Sequence, residues 1–415
     1  MSYRNRLFLA VTLLLTLSVL PVNVMAQEGV TTPGTGFRPD APSYGVRGQN
    51  PVGTRDFVID GDAPLDITLW YPALNEDDTE EAIVYPYITN PDTSMGMEPT
   101  VTGRAISDAP YDLAAGPYPL VILSHGYSLG RTGYAWLAEH LASYGFVVIA
   151  PQHYEQVDET LGDFWRGAIT RPQEIVTVLD YVDDQTGAAG TWQDLVDPDL
   201  IAMVGHSYGG YTSLAMAGAR FDIASMEALC ESARESGDPN AWLCDLVVPR
   251  VADMAELAGF DTVPEGLWPG WGDSRVDTVV SMAGDAYFFG QAGLAEITVP
   301  VMALGGTGDT GTPYLWGTHP TYEHVSSPTK ARVAFEHADH MIFGATCEAL
   351  PWFTEIGLYA YCSDPVWDVD RAHDLVNHFT TAFLLAQLTQ DTDAAAALTP
   401  DSVQFPGVTY DAQGF

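Results

Sequence analysis

Leu200-Ile201-Ala202-Met203-Val204-Gly205-His206-Ser207-Tyr208-Gly209-Gly210-Tyr211 carries the reading of the whole chain. An apolar run gives way to G-H-S-Y-G and then to small residues of helical character, Thr212 to Ala219. The pattern predicts a buried strand, a sharp turn and a helix. Such a turn needs both glycines, because a Cβ at Gly205 or Gly209 would crowd the neighbouring backbone. Ser207 is thereby left at the tip with its Oγ exposed, and the Tyr208 backbone N–H faces the space where negative charge would develop.

The segments on either side repeat one rhythm. Upstream, Tyr118 to Ser124 is an uninterrupted apolar run that reads as a central parallel strand, ending in the polar turn Ser124-His125-Gly126-Tyr127. A helix is predicted over about Tyr134 to Tyr144, stopped by Gly145, and Phe146 to Ala150 forms the next strand. Thr170-Arg171-Pro172-Gln173 reads as a capping box opening a helix whose Ile175, Val178, Leu179 and Val182 share one face. Downstream, strands are predicted at Val276 to Val280, Val299 to Leu304 and Arg332 to Glu336, with a last helix over about Asp368 to Leu388. Alternating strands and helices of this kind make a parallel α/β sheet. Two antiparallel strands, Arg55 to Ile59 and Leu65 to Tyr71, precede it.

Between Phe221 and Ser274 the rhythm breaks, in a stretch holding Cys230, Cys244, Trp242, Trp268 and Trp271. It reads as an inserted cap over the strand ends. Residues 27–43 read as a flexible lead-in and 391–415 as a loosely packed tail, with one domain over 44–390.

A serine is a weak nucleophile without a base to take its proton and an acid to orient that base. After an elbow of this type the acid and then the histidine follow in chain order. His340 lies beyond the strand at Arg332 to Glu336, with Met341, Ile342 and Phe343 behind it, and is the favoured base; His337 is its rival. Asp309, in the loop after Val299 to Leu304, is the favoured acid, and Asp285, after the strand at Val276, is the alternative. The oxyanion hole would use the backbone N–H groups of Tyr208 and Tyr127.

Arg4 and Arg6, the apolar run Leu7 to Leu20, and Val24-Met25-Ala26 make residues 1–26 a secretory signal peptide cleaved after Ala26. The apolar run is shorter than the about 20 residues a membrane span needs, so no anchor is expected after cleavage. The formal charge of −39, with Lys330 the sole lysine, excludes a partner that is a phosphate backbone. In an exported chain the four cysteines are expected to pair locally, Cys230 with Cys244 and Cys347 with Cys362. No metal-type C-x-x-C spacing is present.

Three stretches resemble bacterial α/β-hydrolases: P-L-V-I-L-S-H-G-Y-S-L-G-R-T at 119–132, L-A-S-Y-G-F-V-V-I-A-P-Q-H at 141–153 and G-H-S-Y-G-G at 205–210. They are most similar to platelet-activating-factor acetylhydrolases and the dienelactone-hydrolase-like esterases, and also to polyester-hydrolase and cutinase-like enzymes. The resemblance covers about residues 44–390, least in the cap. It implies an α/β-hydrolase fold and a secreted or periplasmic, metal-free and cofactor-free carboxylic ester hydrolase. Its substrate would be a small-molecule ester of short to medium acyl chain, acetylated phospholipids included. Dienelactone hydrolases use a cysteine where Ser207 stands, and the acetylhydrolase pattern implies Asp285 as the acid rather than Asp309. Two other readings are a prolyl-oligopeptidase-like peptidase, prompted by G-H-S-Y-G-G-Y, and a non-catalytic binding module on the same fold. The peptidases carry a large β-propeller ahead of the hydrolase domain, whereas only about 90 residues precede the first central strand here.

Overall fold

The computed structural model describes residues 36–87, 98–153, 155 and 161–415. The expected signal peptide, 1–26, and the lead-in up to residue 35 lie outside the described residues. The strands in chain order are β1 (Val52–Ile59), β2 (Leu65–Pro72), β3 (Ile83–Pro86), β4 (Thr100–Gly103), β5 (Ile106–Ser107) and β6 (Tyr118–Ser124). They continue with β7 (Val147–Pro151), β8 (Val196–His206), β9 (Thr278–Met282), β10 (Val301–Gly306), β11 (Lys330–Phe335) and β12 (Val408–Gln413). The main helices are α1 (Ala135–Ser143), α2 (Phe164–Thr186) and α3 (Tyr208–Met216), then α4 (Ile223–Ser236), α5 (Trp242–Val247) and α6 (Val251–Leu257). After these come α7 (Gly290–Leu294), α8 (Thr318–His324), α9 (Trp352–Glu355), α10 (Val369–Leu388) and α11 (Thr392–Ala397).

Ten of these strands form one sheet in the order β12-β11-β10-β9-β8-β6-β7-β2-β1-β5, while β3 and β4 pair separately. From β7 to β11 all neighbours are parallel; β2 and β12 run antiparallel to theirs. Alternation along the central strands builds two cores. Leu120 and Ile122 of β6 and Ile201 and Met203 of β8 face one core with α2 and α3, whereas Val121, Leu123, Ala202 and Val204 face the other with α1 and α10. Chain order reverses at β6, which lies between β7 and β8, and in open parallel sheets such a switch point is where ligands bind, outside the carboxyl ends of the strands. Ser207 directly follows the carboxyl end of β8.

Three boundaries differ from the sequence reading. The second helix opens at Phe164, with Asp163 as its N-cap, and Thr170-Arg171-Pro172-Gln173 lies inside it. Its buried face extends upstream through Phe164, Trp165, Ala168 and Ile169. Pro172 has no N–H for the Ala168 carbonyl four residues back, and Tyr211 Oη donates to that carbonyl at 2.6 Å. Tertiary contact thus offsets the lost hydrogen bond, one part of the penalty that makes proline a helix boundary. Residues 36–43 are docked rather than flexible: the N–H groups of Phe37 and Arg38 donate to the Asp374 carboxylate at 2.7 Å each. Residues 391–415 are likewise no loose tail, since they supply α11 and the edge strand β12. Arg332 pairs with Asp411 at 2.6 Å, and Tyr410 stacks on Phe379. A strand with so few apolar residues is held by ladder bonds and partners far away in the chain, which local pattern does not report.

The 221–274 insertion forms α4, α5 and α6, packed on α2 and on the turn and helix after β9. Its Trp268 is fully buried against Phe221 and Phe260. Both cysteine pairs are disulfides, Cys230–Cys244 and Cys347–Cys362, separated by 14 and 15 residues. Loops of that length predict about 3 kcal/mol of stabilisation each. The Cys230→Ser/Cys244→Ser double variant should therefore lose about that much in guanidinium unfolding; an unchanged midpoint would count against it. No helix among the described residues is long and apolar enough to cross a membrane.

Candidate active site

Ser207 joins β8 to α3 at φ 57° and ψ −121°, a left-handed conformation that costs a non-glycine residue about 1–3 kcal/mol. The surroundings hold it there. Its N–H donates to Met282 O of β9 at 2.8 Å, and its carbonyl accepts the Tyr211 N–H at 3.0 Å as α3 begins. A Cβ on Gly205 would overlap the Gly209 carbonyl, and one on Gly209 would overlap the Ser124 carbonyl of β6. Both glycines are thus required by close backbone approach. Tyr208 opens α3, where N–H groups have no partner within the helix.

The remaining candidates stand on the loops that leave neighbouring strand ends. Asp309 follows β10, and His340 opens a single 3₁₀ turn, His340–Phe343, after β11. His340 Nδ1 and Asp309 Oδ2 lie 2.8 Å apart, with the carboxylate side chain almost wholly buried. The other Asp309 oxygen accepts the Gly311 and Thr312 N–H groups at 2.8 and 2.7 Å, which fixes its plane. Burial disfavours the charged form of His340, yet the Asp309 carboxylate outweighs it, helped by Asp285 and Asp339, and the pKa is raised above the ordinary 6.5.

Asp285 has different company. It is buried after β9 and accepts a hydrogen bond from Thr312 Oγ1 at 2.9 Å. Burial pushes its pKa up to about 7, against the lowering effect of His340. His337 is exposed at φ 61°, and its N–H donates to Thr307 Oγ1. The structure thus brings Asp309, not Asp285 or His337, to His340. The half-buried Tyr127 ring packs against Tyr208, with centroids 5.6 Å apart, and against Phe164 at 5.0 Å.

Two residues that the sequence reading passed over connect these parts. His206, beside the serine, is buried with its ring 4.6 Å from that of His340. Its Nε2 donates to the His340 carbonyl at 3.1 Å, and its Nδ1 accepts from Tyr134 Oη at 2.7 Å. Tyr134 Oη in turn accepts the Gly126 N–H at 3.2 Å, so one hydrogen-bond chain runs from the loop after β6, past the elbow, to the His340 loop. Burial, and then the nearby His340, hold the His206 pKa well below its ordinary value, consistent with a neutral ring. Asp339 Oδ1 accepts from Thr310 N, Thr310 Oγ1 and His340 N within 2.9 Å and ties the two loops together. A histidine at the end of a buried strand and an aspartate immediately before a short turn were the available signals.

The ferulic acid esterase from Streptomyces cinnamoneus superposes with a TM-score of 0.54 at 20% identity, over 89% of this chain and 98% of that one. The chain has the α/β-hydrolase fold. Within it, residues 38–160 match the family model of platelet-activating factor acetylhydrolase, isoform II, and residues 106–234 match that of chlorophyllase. Cutinase est1 of Thermobifida alba is 32% identical over 106 residues, 26% of this chain and 32% of the cutinase. Chlorophyllase-2 of Arabidopsis thaliana is 33% identical over 113 residues, again 26% of this chain and 32% of the relative. The matched part therefore spans about a third of each curated relative's length. The segment common to both family models, residues 106–160, holds β6 and the Tyr127 loop, and the chlorophyllase match continues through the Ser207 elbow of this α/β-hydrolase fold.

Proposed function

We propose that the chain is a serine carboxylic ester hydrolase, secreted or periplasmic, acting on small-molecule esters of short to medium acyl chain. The observation that carries the reading is the 2.8 Å pair of His340 and Asp309, whose histidine ring lies 4.6 Å from that of His206, next in sequence to Ser207. In this reading Ser207 Oγ attacks the ester carbonyl carbon while His340 takes its proton. The carbonyl oxygen becomes an oxyanion held by the Tyr208 and Tyr127 N–H groups, each donor worth about 3 kcal/mol in the barrier. Collapse breaks the ester C–O bond, and the imidazolium returns its proton to the leaving alcohol. Water, activated by the same histidine, then releases the acid from the acyl-serine. Asp309 holds the imidazole in the tautomer that leaves Nε2 free to accept. The half-buried Tyr127 ring, backed by the buried Phe164 and Tyr208 rings, offers an apolar wall beside the elbow, and the 221–274 insertion, packed on α2, would shape access to it. Export is supported by the two disulfides.

Hydrolysis of p-nitrophenyl acetate, butyrate and octanoate tests the activity and ranks chain length, and a fluorophosphonate probe followed by peptide mass mapping tests the nucleophile. Label on Ser207 with ester turnover is expected. Faster cleavage of prolyl chromogens than of esters would favour the peptidase reading, and absence of label on the folded protein would favour a binding module. The cutinase matches support a second substrate, an aliphatic polyester, for which release of soluble products from a polycaprolactone film is the assay. An acetylated phospholipid enters the same series as a further substrate.

Because the base must be neutral, the raised His340 pKa sets the acid limb of the pH profile. Activity is full above that pKa and falls tenfold per unit below it, so kcat/KM should decline on acidification with an apparent pKa above 6.5. A flat profile through about pH 5 to 8 contradicts the assignment.

A further inference from the structure

Arg171 has no exposed surface, although it lies on α2 in a chain with few cations. A buried guanidinium costs several kcal/mol unless its donors are matched by acceptors and its charge by a counterion. Here each of its three nitrogens has an acceptor, and Glu155 is the counterion. Nε donates to Glu155 Oε1 at 2.6 Å, Nη1 to the His125 carbonyl at 2.5 Å, and Nη2 to the Gly126 carbonyl at 3.3 Å. The guanidinium carbon also lies 5.1 Å from the centre of the Tyr208 ring. Every one of these contacts is made to the loop after β6, to its support, or to the residue following Ser207.

The Gly126 carbonyl and the Tyr127 N–H belong to one planar trans peptide and point in opposite directions. Whatever grips that carbonyl therefore aims that N–H. His125 Nδ1 also donates to the Gly126 carbonyl, at 2.7 Å, while its Nε2 accepts the His153 N–H at 2.9 Å, which fixes the tautomer. Burial and the adjacent Arg171 hold the His125 pKa well below its ordinary value, consistent with a neutral ring. On the far side of Tyr127, Ser128 N–H donates to Glu155 Oε2 at 3.1 Å. The Arg171–Glu155 ion pair thus spans Tyr127, holding the carbonyl before it and the N–H after it.

We propose that Arg171, with Glu155 as its counterion, is a positioning residue that fixes and polarises the Gly126–Tyr127 peptide for oxyanion binding. The proposal rests on the serine-esterase reading above and adds to it the group that aims one of the two donors. A cation on the carbonyl side of a peptide strengthens the donor on its N–H side, and the low-dielectric surroundings preserve that effect. Arg171 touches no reacting atom; it acts through the peptide.

The test compares wild type with Arg171→Gln, Arg171→Lys and Glu155→Gln on p-nitrophenyl butyrate and on the corresponding thionoester, whose sulfur is a weaker hydrogen-bond acceptor. Arg171→Gln is expected to lower kcat for the ester by about 10²–10³-fold with little change in KM. Thionoester turnover should fall far less, so the oxygen-to-sulfur ratio collapses, and Arg171→Lys should restore part of the loss. A purely structural role would lower the melting temperature without moving that ratio. Folded Arg171→Gln with unchanged kcat and ratio overturns the proposal. If that variant does not fold by circular dichroism, an unchanged ratio in folded Glu155→Gln overturns it equally. Turnover that survives Ser207→Ala would instead remove the parent reading, so the two failures are distinct.

Discussion

Ser207→Ala should lower kcat/KM for p-nitrophenyl butyrate by about five to six orders of magnitude and leave ester binding nearly unchanged. On the proposed mechanism alanine removes the attacking oxygen and nothing that shapes the site. The backbone at 207 is held by Met282 O and by the first turn of α3, neither of which uses the side chain, so the thermal midpoint should move by a few degrees at most. Size of effect separates this from a packing defect: loss of one positioning contact costs about 10²-fold, while loss of the nucleophile removes the covalent route altogether. Activity retained within about tenfold in the purified variant would sink the assignment.

Asp309→Asn carries the second large effect, a fall in kcat of about four orders of magnitude, because an amide facing Nδ1 favours the wrong imidazole tautomer. The acid limb of whatever activity remains should also move to lower pH, since Asp309 is the chief contributor raising the His340 pKa against burial. Asp285→Asn is the control. An asparagine there still accepts from Thr312 Oγ1, and the carboxylate it removes acts on His340 only through space, so activity within about tenfold of wild type is expected. Equal losses at 285 and 309, or a larger loss at 285, would transfer the acid role to Asp285. Both variants share the Thr312 contact region, so their effects should be compared singly rather than summed.

Readings drawn from the chain alone succeeded where neighbours in sequence are neighbours in space. The apolar run at Tyr118 to Ser124, the G-H-S-Y-G turn and the face of α10 all report local burial, and the local disulfides follow from short separations. The same logic placed the boundary of α2 too late, because the acceptor that excuses Pro172 is satisfied from the elbow helix by Tyr211. It also treated Phe37, Arg38 and Tyr410 as parts of loose ends, although their partners are Asp374 and Phe379, far away in the chain.

The candidate site divides along the same line. Ser207, His340 and the two glycines were legible from residue type and chain order, since a nucleophile elbow has a composition that little else requires. Asp309 and Asp285 were both admissible, being carboxylates beyond adjacent parallel strands. The choice between them turns on where two loops converge: Gly311 and Thr312 N–H groups orient Asp309 towards His340, while Asp285 is turned to Thr312 Oγ1. His206, Asp339, Glu155 and Arg171 were invisible as a set, because their meaning lies in hydrogen bonds between segments distant in sequence. Residue type and spacing are enough to single out a candidate nucleophile and a candidate base. The direction of a carboxylate or of a peptide N–H is a property of packed loops, and it exists only once strand ends have been brought side by side.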